Sequence, residues 1–257
     1  MNNKRLNVIA AWMILVCCLC ALIYMIHNDL MGGKPGPKTG TNDTPAAPVV
    51  VVDSTADVVA YYPQLTHIDL VCGTMPSQDE KAVIFCAEAA FTHELLDEFA
   101  HSNIDGDHVS GGKRYAGARC KDNSGAFVSW GNHWEFVQGD YSEALDRAAD
   151  KGGMGFGQAS IIHQGKRVKK LWRGGVNSYR ALCEKDGQLC IVDSREAVPY
   201  ADFVDMLERY GVTEALYLDM GAGWNHSWWR DADGSVHEIH PRKDNNHCTN
   251  WITFYND

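Results

Sequence analysis

The sequence predicts a mixed α/β (α+β) fold: a single domain with a mixed β-sheet core flanked by helices, preceded by an N-terminal transmembrane helix. Three observations carry this expectation. An uncharged apolar stretch fills residues 8–26. Short β-branched runs recur from residue 67 onward, separated by polar turns. Between those runs lie three segments with helical apolar spacing, one of which feeds directly into a strand. A length of 257 residues, with 45% hydrophobic and 22% charged, suits one folded domain plus extensions and excludes general disorder.

Val8–Ile26 reads VIAAWMILVCCLCALIYMI. At about 1.5 Å per residue it reaches roughly 28 Å, close to the thickness of a bilayer core. Lys4 and Arg5 precede it and Asn28-Asp29 follow. The bias of basic residues toward the cytoplasmic side therefore places the N-terminus inside and the bulk of the chain outside, as a single-pass protein with an extracytoplasmic body. No small-x-small site follows Ile26, and Val16, Cys17 and Leu19 precede the three cysteines of the stretch. An uncleaved anchor is thus favoured over a cleaved signal or a lipidated cysteine. Residues 1–27 form the tip and anchor, and residues 28–48, rich in Gly, Pro and Thr, form a tether. The folded domain spans 49–257.

The charge divides along the same line. Residues 1–48 hold four basic and two acidic side chains; with −10 for the whole chain, −12 is left on the domain. Such a body lacks the basic stripe that nucleic acid requires, so nucleic-acid binding is not expected.

Within the domain, strands are expected near 67–71, 82–86, 126–130, 158–163, 178–183, 188–193 and 214–219. Helices are expected over 92–101, with Thr92 as a cap, and over 141–150, stopped by Gly152-Gly153. A third is expected over 199–210, with Pro199 in its first turn and Gly211 just past its end. Six cysteines lie in this part: 72, 86, 120, 183, 190 and 248. The stretch SYRALCEKDGQLCIVD reads as a hairpin turning at Asp186-Gly187, which sets Cys183 opposite Cys190. A disulfide and two packed free thiols are both compatible with that register.

The third helix runs through Gly211 into Ala215-Leu216-Tyr217-Leu218, then Asp219-Met220-Gly221-Ala222-Gly223. A carboxylate at the carboxyl end of a strand, beside glycine amides, is placed for a ligand; it equally suits a turn cap. With IFCAEAAF (84–91), GQASIIHQGK (157–166), Arg180 ahead of the hairpin and GVTEALYLDMGAG (211–223), the order of motifs resembles the phosphodiester glycosidase family over most of residues 65–230. Asp219, Gly221 and Arg180 match the pattern. Ala87-Glu88-Ala89 stands where the family shows asparagine, and Met220 and Ala222-Gly223-Trp224 replace its glycine triplet and serine.

The resemblance implies an extracytoplasmic hydrolase acting on a sugar phosphodiester or related glycan. A non-catalytic glycan-binding or envelope-organising module on the same scaffold is the rival. Glycosidic cleavage needs a carboxylate for the attacking water or a covalent intermediate, which points to Asp219 and Glu88. A leaving phosphate needs charge neutralisation, which points to Arg180 and to the amide of Gly221. Asn225 and His226 are candidate donors to hydroxyl or phosphate oxygens. Trp224, in a run with Trp228 and Trp229, suits a sugar face, and His133, between Trp130 and Phe136, suits a wall. No cofactor is required; the His237-x-x-His240 spacing, with Glu238, leaves a divalent metal as the alternative.

Overall fold

The structure, a computed structural model, describes residues 49–93, 98–170, 174–221, 226–240 and 248–257. The chain divides into two units, Met1–Thr44 and Pro45–Asp257. The first, with the expected anchor over 8–26, lies outside the described residues. Among the described residues, no helix is long and apolar enough to cross a membrane.

The second unit is mostly β. One sheet of seven strands runs in the order β1 (Val50–Ser54), β2 (Val58–Pro63), β14 (Gln188–Ser194), β13 (Arg180–Lys185), β16 (Glu214–Leu218), β10 (Ser160–His163) and β11 (Lys166–Arg167). A second, of five, is β18 (Val236–Ile239), β17 (Ser227–Arg230), β4 (Val83–Glu88), β19 (Asn250–Tyr255) and β3 (His67–Cys72). The third is β6 (Lys113–Tyr115), β5 (His108–Ser110), β9 (Met154–Gln158), β7 (Gly125–Trp130) and β8 (His133–Gln138). A short pair, β12 (Val176–Asn177) with β15 (Val198–Pro199), completes the set.

The neighbouring strands described pair antiparallel, where a mixed sheet was expected. Two α-helices are described, α1 (Ser142–Asp150) and α2 (Tyr200–Tyr210). The helix expected over 92–101 is not found in its described part. Thr92 makes an isolated bridge to Ile104, and His101–Asn103 is a single 3-10 turn; residues 94–97 lie outside the described set. The mixed architecture gives way because its apolar runs are rich in β-branched and aromatic residues, which favour strands. Val50–Ser54, Val58–Pro63, Ser227–Arg230 and Asn250–Tyr255 all add strands to the expected seven.

Alternation along the strands builds separate cores on the two faces of the large sheet. Leu182, Leu189, Ile191, Leu216 and Leu218 face inward with Phe85, Phe254, Phe127 and Phe156 of the other two sheets. Ala181, Cys183, Val192, Ala215 and Tyr217 face the other way, onto Phe203, Val204 and Leu207 of α2. Each of those three helix side chains is buried, a contribution of about 1.5–3 kcal/mol apiece. Gly211 ends α2 at φ 87, and its amide donates to the carbonyls of Leu207 and Glu208. Helix α2 thus carries the chain from β14 across β13 to β16, which sets the position of Asp219.

The hairpin forms as expected, with Asp186 at φ 53 and Gly187 at φ 75, and Cys183 lies opposite Cys190. The disulfide does not form. Both thiols are free and buried, Cys183 donating to the carbonyl of Ala181 and Cys190 lying within hydrogen-bond reach of Tyr62. Burial pushes both thiols up, Cys190 to about 12.

Candidate active site

The site grows from two strand ends. In β4 every residue is buried, and the strand runs between β17 and β19, so its last residue, Glu88, emerges into protein rather than solvent. Asp219 follows the last residue of β16. The two ends are stitched together, because the Asp219 amide donates to the carbonyl of Ala89 at 3.1 Å. Gln158, buried at the end of β9, adds a side-chain bond to the same carbonyl at 3.4 Å. The segment just past Glu88 is therefore fixed from both other sheets.

Glu88 is 1% exposed, and both of its oxygens are engaged. Thr92 Oγ1 donates to Oε1 at 3.1 Å, and the Cys248 thiol donates to Oε2 at 3.0 Å. Thr92 Oγ1 also meets Thr249 Oγ1 at 2.9 Å. Asn250 clasps the next turn, accepting from the Ala90 amide and donating to the Ala90 carbonyl. A buried carboxylate is tolerated only with such partners.

Asp219 is half-buried. Its Oδ1 accepts from the Gly221 amide at 2.9 Å, so Gly221, at φ 52, closes a tight turn on the carboxylate. Burial pushes the Asp219 carboxyl up to about 6; the amides of Gly221, Thr92 and Met220 pull it down, and the charge of Asp105 adds to the rise. A carboxyl poised there changes charge close to neutral pH, which suits proton transfer. Asp105 is held by His93, whose Nδ1 lies 2.9 Å from Oδ1, and the Asp105 amide donates to the carbonyl of Phe91. His93 itself is exposed.

Of the sequence-derived candidates, Glu88, Asp219 and Gly221 come together here. Arg180 lies opposite Leu218, the residue before Asp219, but its side chain pairs with Asp193. It is fully buried on the inner face of β13, where Nε and Nη2 fork onto the two oxygens of Asp193, both at 2.6 Å. The reason is strand alternation: Arg180 shares its face with Leu182, whereas Asp219 continues past Tyr217 and Leu218 in a turn. Its charge is paired with that of Asp193.

His133 also lies elsewhere. It begins β8 opposite Trp130, the two rings tilted at 40° with centroids 4.3 Å apart, while Gly125 at the other end of β7 pairs with Gln158. Five residues of strand, about 17 Å, separate the two ends. His226 is buried beside Glu238, its Nε2 3.5 Å from the carboxylate. Trp228 is fully buried in the cluster behind β4 rather than facing a ligand. Trp224 and Asn225 lie outside the described residues.

The His237-x-x-His240 pair diverges: His237 stacks on Trp229 and bonds Asp231, while His240 faces Arg180. It offers no shared metal position.

Thr92, His93, Asp105, Cys248 and Thr249 were not legible as site residues. Thr92 reads as a helix cap, and the others stand in no motif; only the strand pairing brings them together.

No protein-family model matches the chain. No curated protein matches it either. Among solved structures, it is similar to the zebrafish N-acetylglucosamine-1-phosphodiester alpha-N-acetylglucosaminidase catalytic domain, auto-inhibited by its pro-peptide. That likeness has a TM-score of 0.53 at 11% identity and covers 87% of each chain. A hypothetical protein from Synechocystis gives a TM-score of 0.47 at 12% identity, over 87% of this chain and 64% of that one. At these identities the first likeness establishes a distant relationship of fold with a hydrolase domain, and nothing finer.

Proposed function

We propose that the chain is a glycosidase-type hydrolase that cleaves a sugar phosphodiester or a related glycan, held at a membrane by residues 8–26 with its domain outside the cytoplasm. One observation carries the reading. At the junction of two strand ends, Asp219 sits with its carboxyl at about 6 beside a second carboxylate, Glu88, both in contact with Thr92. Supporting it are the order of motifs from Ile84 to Gly223 and the fold shared with the catalytic domain of an N-acetylglucosamine-1-phosphodiester alpha-N-acetylglucosaminidase.

In this reading Asp219, ionised, takes the proton of the attacking water or itself attacks the anomeric carbon. The leaving phosphate is a weak base and needs neutralisation more than protonation. With Arg180 committed to Asp193, that role passes to His93, whose Nδ1 lies 2.9 Å from Asp105. Glu88, fully hydrogen-bonded, positions Thr92 and hence the amide that Asp219 accepts from.

The test is turnover of an N-acetylglucosamine 1-phosphodiester by the purified full-length chain and by Asp219→Asn. Loss of turnover in a variant with unchanged circular dichroism supports the reading; equal turnover overturns it. Binding of the diester with no turnover by the wild type would instead favour the non-catalytic glycan-binding module.

A further inference from the structure

We propose that Cys72, His101 and His108 form a zinc site that clamps the 101–108 segment to the end of β3. The donor atoms of these three residues lie within 4.8 Å of one another. They come from three separate elements: the last residue of β3, the first of the 3-10 turn and the first of β5. Their meeting is therefore a product of the fold, not of a local repeat.

The donor set and its surroundings are those of a ligand site. Nitrogen and sulfur without oxygen suit Zn2+ and not Mg2+ or Ca2+. His108 is fully buried, and its Nδ1 lies 3.2 Å from the carbonyl of Gly106. A carbonyl only accepts, so Nδ1 carries the proton and Nε2 is left with a lone pair pointing at the cluster. Gly106 is itself fixed: its amide donates to Ala118 at 2.6 Å, and Gly117 packs so close that a Cβ there would lie 1.9 Å from the Gly106 oxygen. The ring of His101 is held by Tyr115, stacked at 3.4 Å and 13°, with Phe99 at its edge.

His101 Nδ1 and His108 Nε2 are now 2.8 Å apart, sharing one proton. On a tetrahedral zinc with bonds of about 2.0–2.1 Å, two nitrogens sit roughly 3.3 Å apart, so the rings need to open by only about half an ångström. Binding replaces that hydrogen bond with two metal–nitrogen bonds and one metal–thiolate bond; the thiol proton is released to solvent, and the proton between the facing nitrogens is exchanged through solvent onto Nε2 of His101, which stays a neutral ligand. His101 is half-buried, which leaves the fourth position to water. The clamp would hold Asp105, the neighbour of Asp219, from three residues away.

The probe is Co2+, then Zn2+, added to the purified full-length chain in chelator-washed buffer. The expected result is a thiolate-to-cobalt charge-transfer band with tetrahedral ligand-field bands, displaced by one equivalent of Zn2+. Cys72→Ser should abolish the charge-transfer band, His108→Gln should weaken Zn2+ binding at least 100-fold, and His237→Ala should change neither. No thiolate band in the wild type, or a band that survives Cys72→Ser, overturns the proposal. Should either variant fail to fold, the wild type decides alone. Zn2+ should slow alkylation of Cys72, mapped by mass spectrometry, while leaving the half-buried Cys120 unchanged. Equal protection of both, or of neither, overturns it.

Discussion

Thr92 donates its hydroxyl to Glu88 at 3.1 Å while its backbone amide is one of the three that hold Asp219. One residue thus couples the carboxylate that ends β4 to the carboxylate that follows β16 of the seven-stranded sheet. The coupling is polar and partly buried, so loss of either member leaves the other short of a partner.

Replacing Thr92 tests that coupling. Thr92→Val keeps the shape and the amide but removes the hydroxyl that serves both Glu88 and Thr249. The expected cost is about 1–3 kcal/mol, for a buried carboxylate left one donor short. Turnover should fall along with stability, because the amide toward Asp219 moves with the residue. Thr92→Ser should recover most of both. Urea midpoints of the three proteins check the first point; a Val variant as stable as wild type would refute it.

The pH dependence follows from Asp219. Its carboxyl is raised to about 6 in the fold, against about 4 in the unfolded chain. Between those values the folded state holds more protons, so stability falls as pH rises through that window, by on the order of 2 kcal/mol. Asp219→Asn should flatten this part of the stability curve and be the more stable protein above pH 6. Catalysis runs the opposite way: if the ionised form acts, kcat/KM should climb through about pH 6 and level off above. A rate that falls through the same range would assign Asp219 the role of proton donor instead.

Local sequence was informative where a segment's structure depends on its own residues. Asp186-Gly187 set its hairpin register down to the opposition of Cys183 and Cys190, and Gly211 at φ 87 ended α2 where glycine was expected. Asp219 with Gly221 was legible for the same reason, since two residues make the turn. What was not legible depends on pairing across the chain. Trp251 lies opposite Glu88, and this is what delivers Cys248 and Thr249 to the site. The pairing of Arg180 was not legible either, because the motif gives its position but not its face, and alternation along β13 turns it toward Asp193.

The thiols of the hairpin give a direct chemical prediction. Cys183 and Cys190 are free, fully buried, and held protonated by that burial. In the native protein neither should react with an alkylating agent at neutral pH. After denaturation without reductant both should be labelled, and the melting temperature should not change when reductant is added. A mass deficit of two hydrogens across the hairpin peptide would show that the bond forms after all.

The ion pair of Arg180 and Asp193 separates a structural role from a phosphate-binding one. Both side chains are buried, the fork is bidentate at 2.6 Å, and the pair lies on the inner face among Leu182 and Ile191. Removing either partner strands a charge in the core, so Arg180→Met and Asp193→Leu should each cost about 3–5 kcal/mol. The double variant should cost far less than the two together, because apolar side chains then fill a site that no longer contains a lone charge. A phosphate-binding arginine would behave differently: Arg180→Lys would raise KM while leaving the urea midpoint unchanged, and no compensation by Asp193→Leu would appear. The expected outcome is that Arg180→Lys lowers the midpoint, since an ammonium cannot reproduce the two parallel bonds, and that KM for the remaining folded protein is unchanged.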